Sequence, residues 1–280
     1  MSKLLATDLD GTLFYPRRKF KMIAKPNLEF VRNFIDQGNQ VVLVTSRSPR
    51  DCIKVQKKLK RQVDFIALNG GNIFVKDALI RDKEFDHGEL DDLLNYLKVK
   101  SFPKALMLQT DDALIVKIPD SRNKFFGFLY RIYYAFEGTY KIKVIYDNDA
   151  FDKAIKSGKN YKMMLFYGLS KRTKEETIVL NRELRDTFKD MEFSWVGKVI
   201  EITPKDCSKG EALKYYVSLL KLNQDDVFVV GDSGNDISMF KAFYPNSFCL
   251  KKAPNVVKKY ANHLIKRYND LSYYLIKESK

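Results

Sequence analysis

The chain has 280 residues, of which 45% are apolar and 30% charged, and its 50 lysines and arginines outnumber its 35 aspartates and glutamates, for a formal net charge of +15. This composition is typical of a globular protein with one large domain or two smaller ones. Without an apolar run of about 18 residues or a signal-peptide core, we expect neither membrane insertion nor secretion. Three widely spaced cysteines and two histidines form no zinc pattern, which favours a cytoplasmic location.

The excess positive charge belongs to the two ends of the chain. Residues 84–203 hold 20 basic and 19 acidic side chains, whereas the flanking residues hold 30 and 16. A basic chain is a candidate for binding nucleic acid or an anionic membrane surface. Because the middle is almost neutral, we expect no continuous nucleic-acid surface and interpret the charge as mainly solvated side chains.

The two ends alternate short aliphatic runs with helical patterns. The first end predicts a strand over 3–7, a helix that stops at Gly38, a strand over Val41–Val44, a helix capped by Ser48 with Pro49 at its first position, and a strand over Phe65–Leu68. The last end predicts a helix over Glu211–Leu220, a strand over Val227–Val230 and a helix over Ile237–Phe243. Aliphatic strands without polar alternation indicate a parallel sheet that helices cover on both faces.

The middle of the chain has a different order of elements. It predicts strands over 105–108, 114–118, 142–146, 163–167, 193–196 and 199–202, an aromatic helix over 125–136 and a charged helix over 173–188. We therefore predict an α/β fold in which residues 1–83 and 204–280 form one discontinuous core. Residues 84–203 are predicted to form an inserted α+β domain.

The strongest chemical signal is Asp8–Leu13, which reads Asp-Leu-Asp-Gly-Thr-Leu where the first strand ends. Functional groups of open parallel sheets gather beyond the carboxyl ends of the strands. Two carboxylates two residues apart suit a site in which one binds a cation or attacks a substrate while the other moves protons. An ordinary Asx turn explains the same residues equally well.

A second acidic turn, Gly231–Asp236, follows the strand Val227–Val230. Its ordinary explanation is a loop in which a polar side chain caps the next helix. The two turns together, however, bring four carboxylates to the same edge of the sheet, which requires a cation. Oxygen ligands favour Mg²⁺ over zinc.

Five motifs in this order carry a family resemblance. They are Asp8–Leu13, Thr45–Arg47, Asn69–Gly71, Ser208–Leu213 and Gly231–Asp236. The chain resembles the haloacid dehalogenase-like phosphatases, specifically the Cof-type branch (subfamily IIB), whose Rossmann-like core carries an inserted α/β cap. The resemblance implies a Mg²⁺-dependent phosphatase that hydrolyses small phosphomonoesters, such as sugar phosphates or related metabolites, through an aspartyl-phosphate.

The resemblance also implies roles for individual residues. It makes Asp8 the nucleophile, Asp10 the general acid and base, and Thr45 and Lys209 the groups that stabilise the phosphoryl charge. It assigns Mg²⁺ to the Asp8 carboxylate, the Asp10 main-chain oxygen and Asp232. Asn235 and Asp236 would hold the waters bound to the metal or the Lys209 side chain. Phosphate or substrate would contact Gly11, Ser46, Arg47, Asn69 and Gly70.

Each weaker member of this set also has an ordinary explanation. Thr45 could cap a strand end, Lys209 could be one of many solvated lysines, and Arg47 and Asn69 could be an exposed side chain and a helix cap. The motifs also depart from the usual pattern: Ser46 replaces the usual Gly, Asn-Gly-Gly replaces Asn-Gly-Ala, and Arg267–Leu271 lacks the usual acidic-Gly segment. None of these departures removes a catalytic group.

The inserted domain should choose the substrate, since a lid that closes over a site excludes water and contacts the part of the substrate beyond its phosphate. Candidates for such contacts are Asn148 and Lys159. The aromatic helix over 125–136 is interpreted as core of this domain.

Three other functions remain open. A phosphomutase or phosphotransferase would use the same aspartyl-phosphate. A nucleic-acid-binding protein would use basic clusters such as Arg17–Lys21, Lys57–Arg61 and the lysine pairs at 251/252 and 258/259, but these clusters contain no motif that reads bases. A non-catalytic regulator would not need the complete acidic set. We expect a small phosphorylated metabolite as partner and neither nucleic acid nor membrane, and the sequence predicts no oligomeric state.

Overall fold

The computed structural model describes residues 2–16, 22–86, 88–110, 113–119, 143–157, 159–168 and 171–276. The chain divides into two compact units. Unit 1 combines Met1–Asp82 with Asp206–Lys280, and unit 2 is Lys83–Lys205. Among the described residues, no helix is both long enough and apolar enough to cross a membrane.

The strands, in chain order, are β1 (Leu4–Thr7), β2 (Gln40–Val44), β3 (Asp64–Ala67), β4 (Asn72–Val75), β5 (Ala78–Asp82), β6 (Ala105–Thr110), β7 (Ala113–Lys117), β8 (Lys143–Tyr146), β9 (Asn160–Phe166), β10 (Met191–Val196), β11 (Val199–Pro204), β12 (Val227–Gly231), β13 (Ser247–Leu250) and β14 (His263–Ile265).

The α-helices are α1 (Lys25–Asp36), α2 (Pro49–Leu59), α3 (Glu89–Lys100), α4 (Asn148–Ser157), α5 (Lys171–Thr187), α6 (Lys209–Leu219), α7 (Ile237–Ala242), α8 (Asn255–Lys258) and α9 (Ser272–Leu275). Short 3₁₀ turns precede β12 and α7.

The sheet of unit 1 has eight strands in the order β14-β13-β12-β1-β2-β3-β4-β5. The strands from β14 to β3 are parallel, with β1 between β12 and β2. All four residues of β1 are buried, as expected for a strand whose two faces are both covered. The predicted α/β class with a parallel sheet is confirmed, and the register brings the carboxyl ends of β1, β2 and β12 to one edge.

One end of this sheet is antiparallel, which the sequence did not indicate. β4 pairs antiparallel with β3 and with β5. The turn between β4 and β5 places Lys76 and Asp77 at φ +47° and +67°, and the Lys76 N–H donates to Asp64 Oδ1 at 2.7 Å. Such a turn is usually signalled by Gly or Asn, and Lys-Asp carries only a weak signal.

The helix α2 of unit 1 begins at the residues that the sequence predicted. Ser48 is the N-cap of α2 and Pro49 is its first residue. The Ser48 hydroxyl, however, makes no capping bond to the helix backbone and donates instead to Asp51 Oδ2 at 3.3 Å. In α6, by contrast, the Ser208 hydroxyl accepts from the Glu211 N–H, as a capping serine does.

Unit 2 has its own six-stranded sheet, in the order β10-β11-β9-β6-β7-β8. Its strands are antiparallel except for the pair β7 and β8. One face packs an apolar core against α3, α4 and α5, with Leu93, Phe151 and Leu184 fully buried. The predicted helix over 125–136 lies outside the described residues.

Candidate active site

The first acidic turn begins directly after β1. The Asp8 N–H donates to the Val230 carbonyl of β12 at 3.0 Å, which prolongs the pairing of the two strands by one residue. The chain then turns at Gly11, whose φ is +76°. A Cβ at Gly11 would collide with the Asp232 carboxylate, so only glycine lets the two acidic turns lie this close.

Lys209 contacts carboxylates of both acidic turns. It is the first residue of α6, its side chain is 1% exposed, and its Nζ donates to Asp8 Oδ1 and to Asp236 Oδ1, each at 2.7 Å. Burial alone would lower the pKa of Lys209, but Asp236 and Asp8 together hold this pKa above its ordinary value. The ammonium therefore stays charged and connects the two acidic turns.

Asp236 is completely buried and organises the second turn. Its Oδ2 accepts the Asp232 and Ser233 N–H groups, each at 2.9 Å, while its Oδ1 faces Lys209. Both of its oxygens are thus used to hold the loop and the lysine. Asn235, beside it, donates to Asn69 Oδ1 at 3.4 Å and joins the loop after β12 to the turn after β3.

Asp8 keeps one oxygen without a hydrogen-bond partner in the described structure. Asp8 is 4% exposed, and its Oδ2 is buried and unbonded. Burial raises the pKa of Asp8 well above its ordinary 3.8, Lys209 opposes that rise, and the carboxylates of Asp236, Asp232 and Asp10 add to it. A buried carboxylate oxygen in this state needs a further positive partner, or it is a group kept ready to react.

Asp8, Asp232 and Asp236 form a carboxylate cluster, and since the Asp236 oxygens are already bonded, Asp8 and Asp232 are the members that can hold a divalent cation. One oxygen of each can be chosen so that all three lie within 4.8 Å of one another. The donors are all oxygens, which hard cations such as Mg²⁺ prefer. The unbonded Asp8 Oδ2 supports the same conclusion, and Mg²⁺ is the cation that this donor set suits.

Asp10 lies at the rim of the turn and is paired with Arg47. Arg47 Nε and Nη2 donate to the two carboxylate oxygens of Asp10, both at 2.6 Å, and the Asp10 side chain is 46% exposed. The guanidinium also lies 5.5 Å from the centre of the Phe14 ring. The structure brings Arg47 into the site, on Asp10, and its predicted role in binding phosphate or substrate stays a prediction.

The turns after β2 and β3 complete the edge. Thr45 is fully buried, its Oγ1 accepts the Arg47 N–H at 3.1 Å, and its carbonyl accepts the Asn69 N–H at 2.9 Å. Ser46 lies between Thr45 and Arg47. Gly70 has φ +114°, and a Cβ there would lie 2.6 Å from the Ala212 Cβ. The predicted catalytic, metal-binding and phosphate-binding residues thus lie on turns at one edge of the sheet or at the start of α6.

Two contacts of Asp232 were not predicted. Thr12 Oγ1 donates to Asp232 Oδ1 at 2.9 Å, and Lys252 Nζ lies 3.2 Å from Asp232 Oδ2. Thr12 belongs to the first motif, so its position there was a usable signal. Lys252 follows β13 and resembles any other surface lysine in the sequence.

Of the two candidates for substrate contact in unit 2, Asn148 has a local role. Its Oδ1 accepts the Ile118 N–H at 3.1 Å and its Nδ2 donates to the Ile118 carbonyl at 3.3 Å. Asn148 therefore ties the start of α4 to the chain just after β7. Lys159 stays a prediction.

A family model described as haloacid dehalogenase-like hydrolase matches residues 5–273. The 5-amino-6-(5-phospho-D-ribitylamino)uracil phosphatase YwtE of Bacillus subtilis is 27% identical over 253 residues, which cover 85% of this chain and 84% of the relative.

Two solved structures share the fold over nearly the whole chain. A haloacid dehalogenase-like hydrolase from B. subtilis has a TM-score of 0.75 at 22% identity and covers 98% of this chain and 97% of its own. The HAD subclass IIB sugar phosphatase BT4131 has a TM-score of 0.74 at 19% identity and covers 98% of this chain and 100% of its own.

Proposed function

The chain belongs to the haloacid dehalogenase-like hydrolases, in their Cof-type branch, and from this premise we propose that it is a Mg²⁺-dependent phosphatase of small phosphomonoesters. The observation that carries the proposal is the state of Asp8. Lys209 holds one of its oxygens at 2.7 Å, and the other oxygen is buried without a hydrogen-bond partner. This arrangement fixes the Asp8 carboxylate in place and leaves one of its oxygens open to a cation or to the substrate.

In the first step, a carboxylate oxygen of Asp8 attacks the phosphorus atom of the substrate. A bond forms between Asp8 and phosphorus while the bond from phosphorus to the ester oxygen breaks. Asp10, in its protonated form, gives its proton to the leaving alkoxide, which departs as an alcohol. Because Asp10 is paired with Arg47 in this structure, the proposal requires that pair to open before the proton moves.

In the second step, water attacks the phosphorus atom of the aspartyl-phosphate. Asp10, now a carboxylate, takes a proton from that water, and the bond between phosphorus and Asp8 breaks. Inorganic phosphate leaves and the Asp8 carboxylate is restored. Two steps replace a single hydrolysis that is among the slowest reactions in water, for which enzymes reach accelerations of about 10²¹.

Charge stabilisation comes from residues at the same edge. Lys209 stays an ammonium next to Asp8 and can offset the negative charge of the phosphoryl oxygens. The hydroxyl of Thr45 can donate to one of those oxygens. The residues that would hold Mg²⁺ are Asp8, Asp232 and the main-chain oxygen of Asp10, with Asp236 and Asn235 behind them. When bound, Mg²⁺ supplies positive charge against the phosphoryl group.

We also propose that residues 84–203 act as the cap and select the substrate, and that the substrate is a sugar phosphate or a related phosphorylated metabolite in the cytoplasm. The names of two similar proteins, a ribitylaminouracil phosphatase and a sugar phosphatase, support this substrate class. Exchange of this segment for that of a related phosphatase should change the order of preferred substrates and leave the dependence on Asp8 intact.

The test is release of inorganic phosphate from a panel of sugar phosphates and para-nitrophenyl phosphate. We expect the wild type to release phosphate with Mg²⁺, to stop with EDTA and to recover when Mg²⁺ is restored. Asp8→Asn should lower kcat by at least about 1,000-fold, because removal of a nucleophile has effects of this order or larger. The control is Asp36→Asn, which removes an exposed aspartate paired with Arg61.

Two results would contradict the proposal. Equal turnover by wild type and Asp8→Asn would exclude Asp8 as the nucleophile. An isomerised sugar phosphate without inorganic phosphate would identify a phosphomutase, in which the aspartyl-phosphate is passed to a sugar hydroxyl.

A further inference from the structure

We infer that Lys252 is a built-in counter-cation of the acidic site, which competes with the divalent cation for Asp232. The inference rests on the cation of the proposed function. Lys252 Nζ lies 3.2 Å from Asp232 Oδ2, and the two side chains are 31% and 14% exposed. The same ammonium lies 4.1 Å from the centre of the Tyr15 ring.

The hydrogen bonds of the cluster show where a cation and Lys252 would meet. Both oxygens of Asp236 accept hydrogen bonds, one from Lys209 and the other from backbone N–H groups of its own turn. Asp8 Oδ1 accepts from Lys209, and Asp232 Oδ1 accepts from Thr12. The oxygens outside these internal bonds are Asp8 Oδ2, which has no partner, and Asp232 Oδ2, which faces Lys252.

Charge explains why an ammonium lies at this position. Asp8, Asp232 and Asp236 bring three negative charges together, and Lys209 supplies one positive charge within the cluster. An uncompensated charge with low exposure is costly, so Lys252 stabilises the protein when no divalent cation is bound. A divalent cation on Asp232 would repel the neighbouring ammonium strongly, because like charges a few ångströms apart and partly shielded from water interact unfavourably.

Tyr15 offers the displaced ammonium a second partner. The face of an aromatic ring attracts a cation within about 6 Å of its centre, and Lys252 already lies within that range. When Lys252 leaves Asp232, the ring no longer shares the ammonium with the carboxylate, and its attraction for the ammonium can strengthen. The expected consequences are a weaker affinity for the divalent cation and a more stable cation-free protein than the acidic residues alone would give.

The test is Mn²⁺ binding, measured from the free Mn²⁺ signal by electron paramagnetic resonance, on the full-length protein without substrate. Lys252→Met keeps an unbranched side chain, shorter by one atom, and removes its charge. Lys251→Met is the matched control, since it removes the same charge one residue away on the exposed surface. We expect Lys252→Met to bind Mn²⁺ about tenfold more tightly or better, and Lys251→Met to stay within about twofold of the wild type.

Thermal unfolding in EDTA gives a second measurement. Lys252→Met should melt below Lys251→Met without divalent cation, and its melting temperature should rise more when Mn²⁺ is added. Mn²⁺ affinity in Lys252→Met that is equal to or weaker than in Lys251→Met would overturn the inference, since the ammonium would then not compete.

A double-mutant cycle tests the Tyr15 contact. Tyr15→Leu removes the second partner, so it should weaken Mn²⁺ binding in the wild type and have no effect in Lys252→Met. Equal weakening in both backgrounds would overturn the role of the ring. Because turnover is not measured, these outcomes leave the test of Asp8 as nucleophile untouched. Failure of all variants and the wild type to bind Mn²⁺ would contradict both this inference and the metal part of the proposed function.

Discussion

Two buried lysines, Lys209 in unit 1 and Lys162 in unit 2, show how differently the two units place charge. Lys162 lies on β9 and its Nζ is 3.5 Å from Glu201 Oε1 on β11, with both side chains at most 7% exposed. Lys209 lies 2.7 Å from each of two carboxylates, and a third carboxylate belongs to the same cluster.

The difference separates a structural pair from a reactive one. In unit 2, the Lys162 ammonium and the Glu201 carboxylate lie on neighbouring strands as a buried pair of opposite charges. In unit 1, the carboxylates exceed the lysine, and Asp8 Oδ2 is left without a hydrogen-bond partner. Excess buried charge destabilises a fold, so its presence indicates a function that uses it.

The largest expected effect concerns Lys209. Lys209→Met leaves Asp8 and Asp236 buried without their shared cation, and removal of one partner of a buried ion pair costs about 3–5 kcal/mol. The free energy of unfolding, measured in urea, checks this value, and phosphate release should be lost as well. Lys214→Met is the control, because Lys214 is exposed and pairs with Glu211. A loss in Lys209→Met no larger than in Lys214→Met would contradict the comparison.

In unit 2, the loss of stability caused by replacing the buried lysine should be largely recovered when its acidic partner is replaced as well. Lys162→Met removes the ammonium beside the buried Glu201 carboxylate and should lower the free energy of unfolding by about 3 kcal/mol. The double variant Lys162→Met/Glu201→Met replaces the pair by two apolar side chains of similar length and should recover most of this loss. Urea unfolding of the three proteins measures the coupling. A double variant less stable than either single one would show that the pair does more than balance its own charges.

A substitution at Gly11 tests whether the close approach of the two acidic turns in unit 1 is needed for activity. Gly11→Ala adds a Cβ that collides with the Asp232 carboxylate, at a φ of +76° that alanine adopts only with strain. We expect the two acidic turns to move apart and kcat to fall about 100-fold, the scale of a small misplacement of catalytic groups. Gly38→Ala tests strain alone, since Gly38 has φ +83° and open space around it. Equal losses of activity in Gly11→Ala and Gly38→Ala would contradict the interpretation that the collision with Asp232 causes the loss.

The smallest expected effect is a gain in stability. Burial raises the pKa of Asp8 well above 3.8, so the folded protein binds this proton more tightly than the unfolded chain. The contribution of Asp8 to stability is therefore greatest in acid and is lost as the pH rises from about 3.8 through the raised pKa.

Asp8→Asn removes the group whose ionisation lowers the stability of the folded protein as the pH rises. At pH 7 in EDTA this variant should be more stable than the wild type, because the amide of Asn carries no charge whose burial must be offset. The difference should grow between pH 4 and pH 7. Asp36→Asn should show the opposite sign, because the hydrogen bond from Arg61 lowers the pKa of Asp36. Asp8→Asn that unfolds more readily than the wild type at pH 7 would contradict the interpretation that the buried carboxylate is destabilising.

Much of the fold followed from local patterns. The aliphatic runs predicted β1, β2, β3 and β12, and Ser48-Pro49 marked the start of α2. The sequence did not indicate the β4 and β5 hairpin, because its turn uses Lys76 and Asp77 in left-handed conformations without a glycine. It also missed α3 and α4, whose apolar positions are mixed with many charged residues.

The sequence by itself determined the family, the strand ends that carry Asp8 and Asp232, and the excess of carboxylates there, because motifs and hydrophobic runs are local. Only the tertiary structure decided which oxygens are in use. Lys252 in the sequence is one of two adjacent lysines in a basic chain, and Arg47 is an arginine after a strand. Their contacts with Asp232 and Asp10 join residues 20 and 37 positions apart. Such distances depend on the order of β13, β12, β1 and β2 in the sheet, which no local pattern contains.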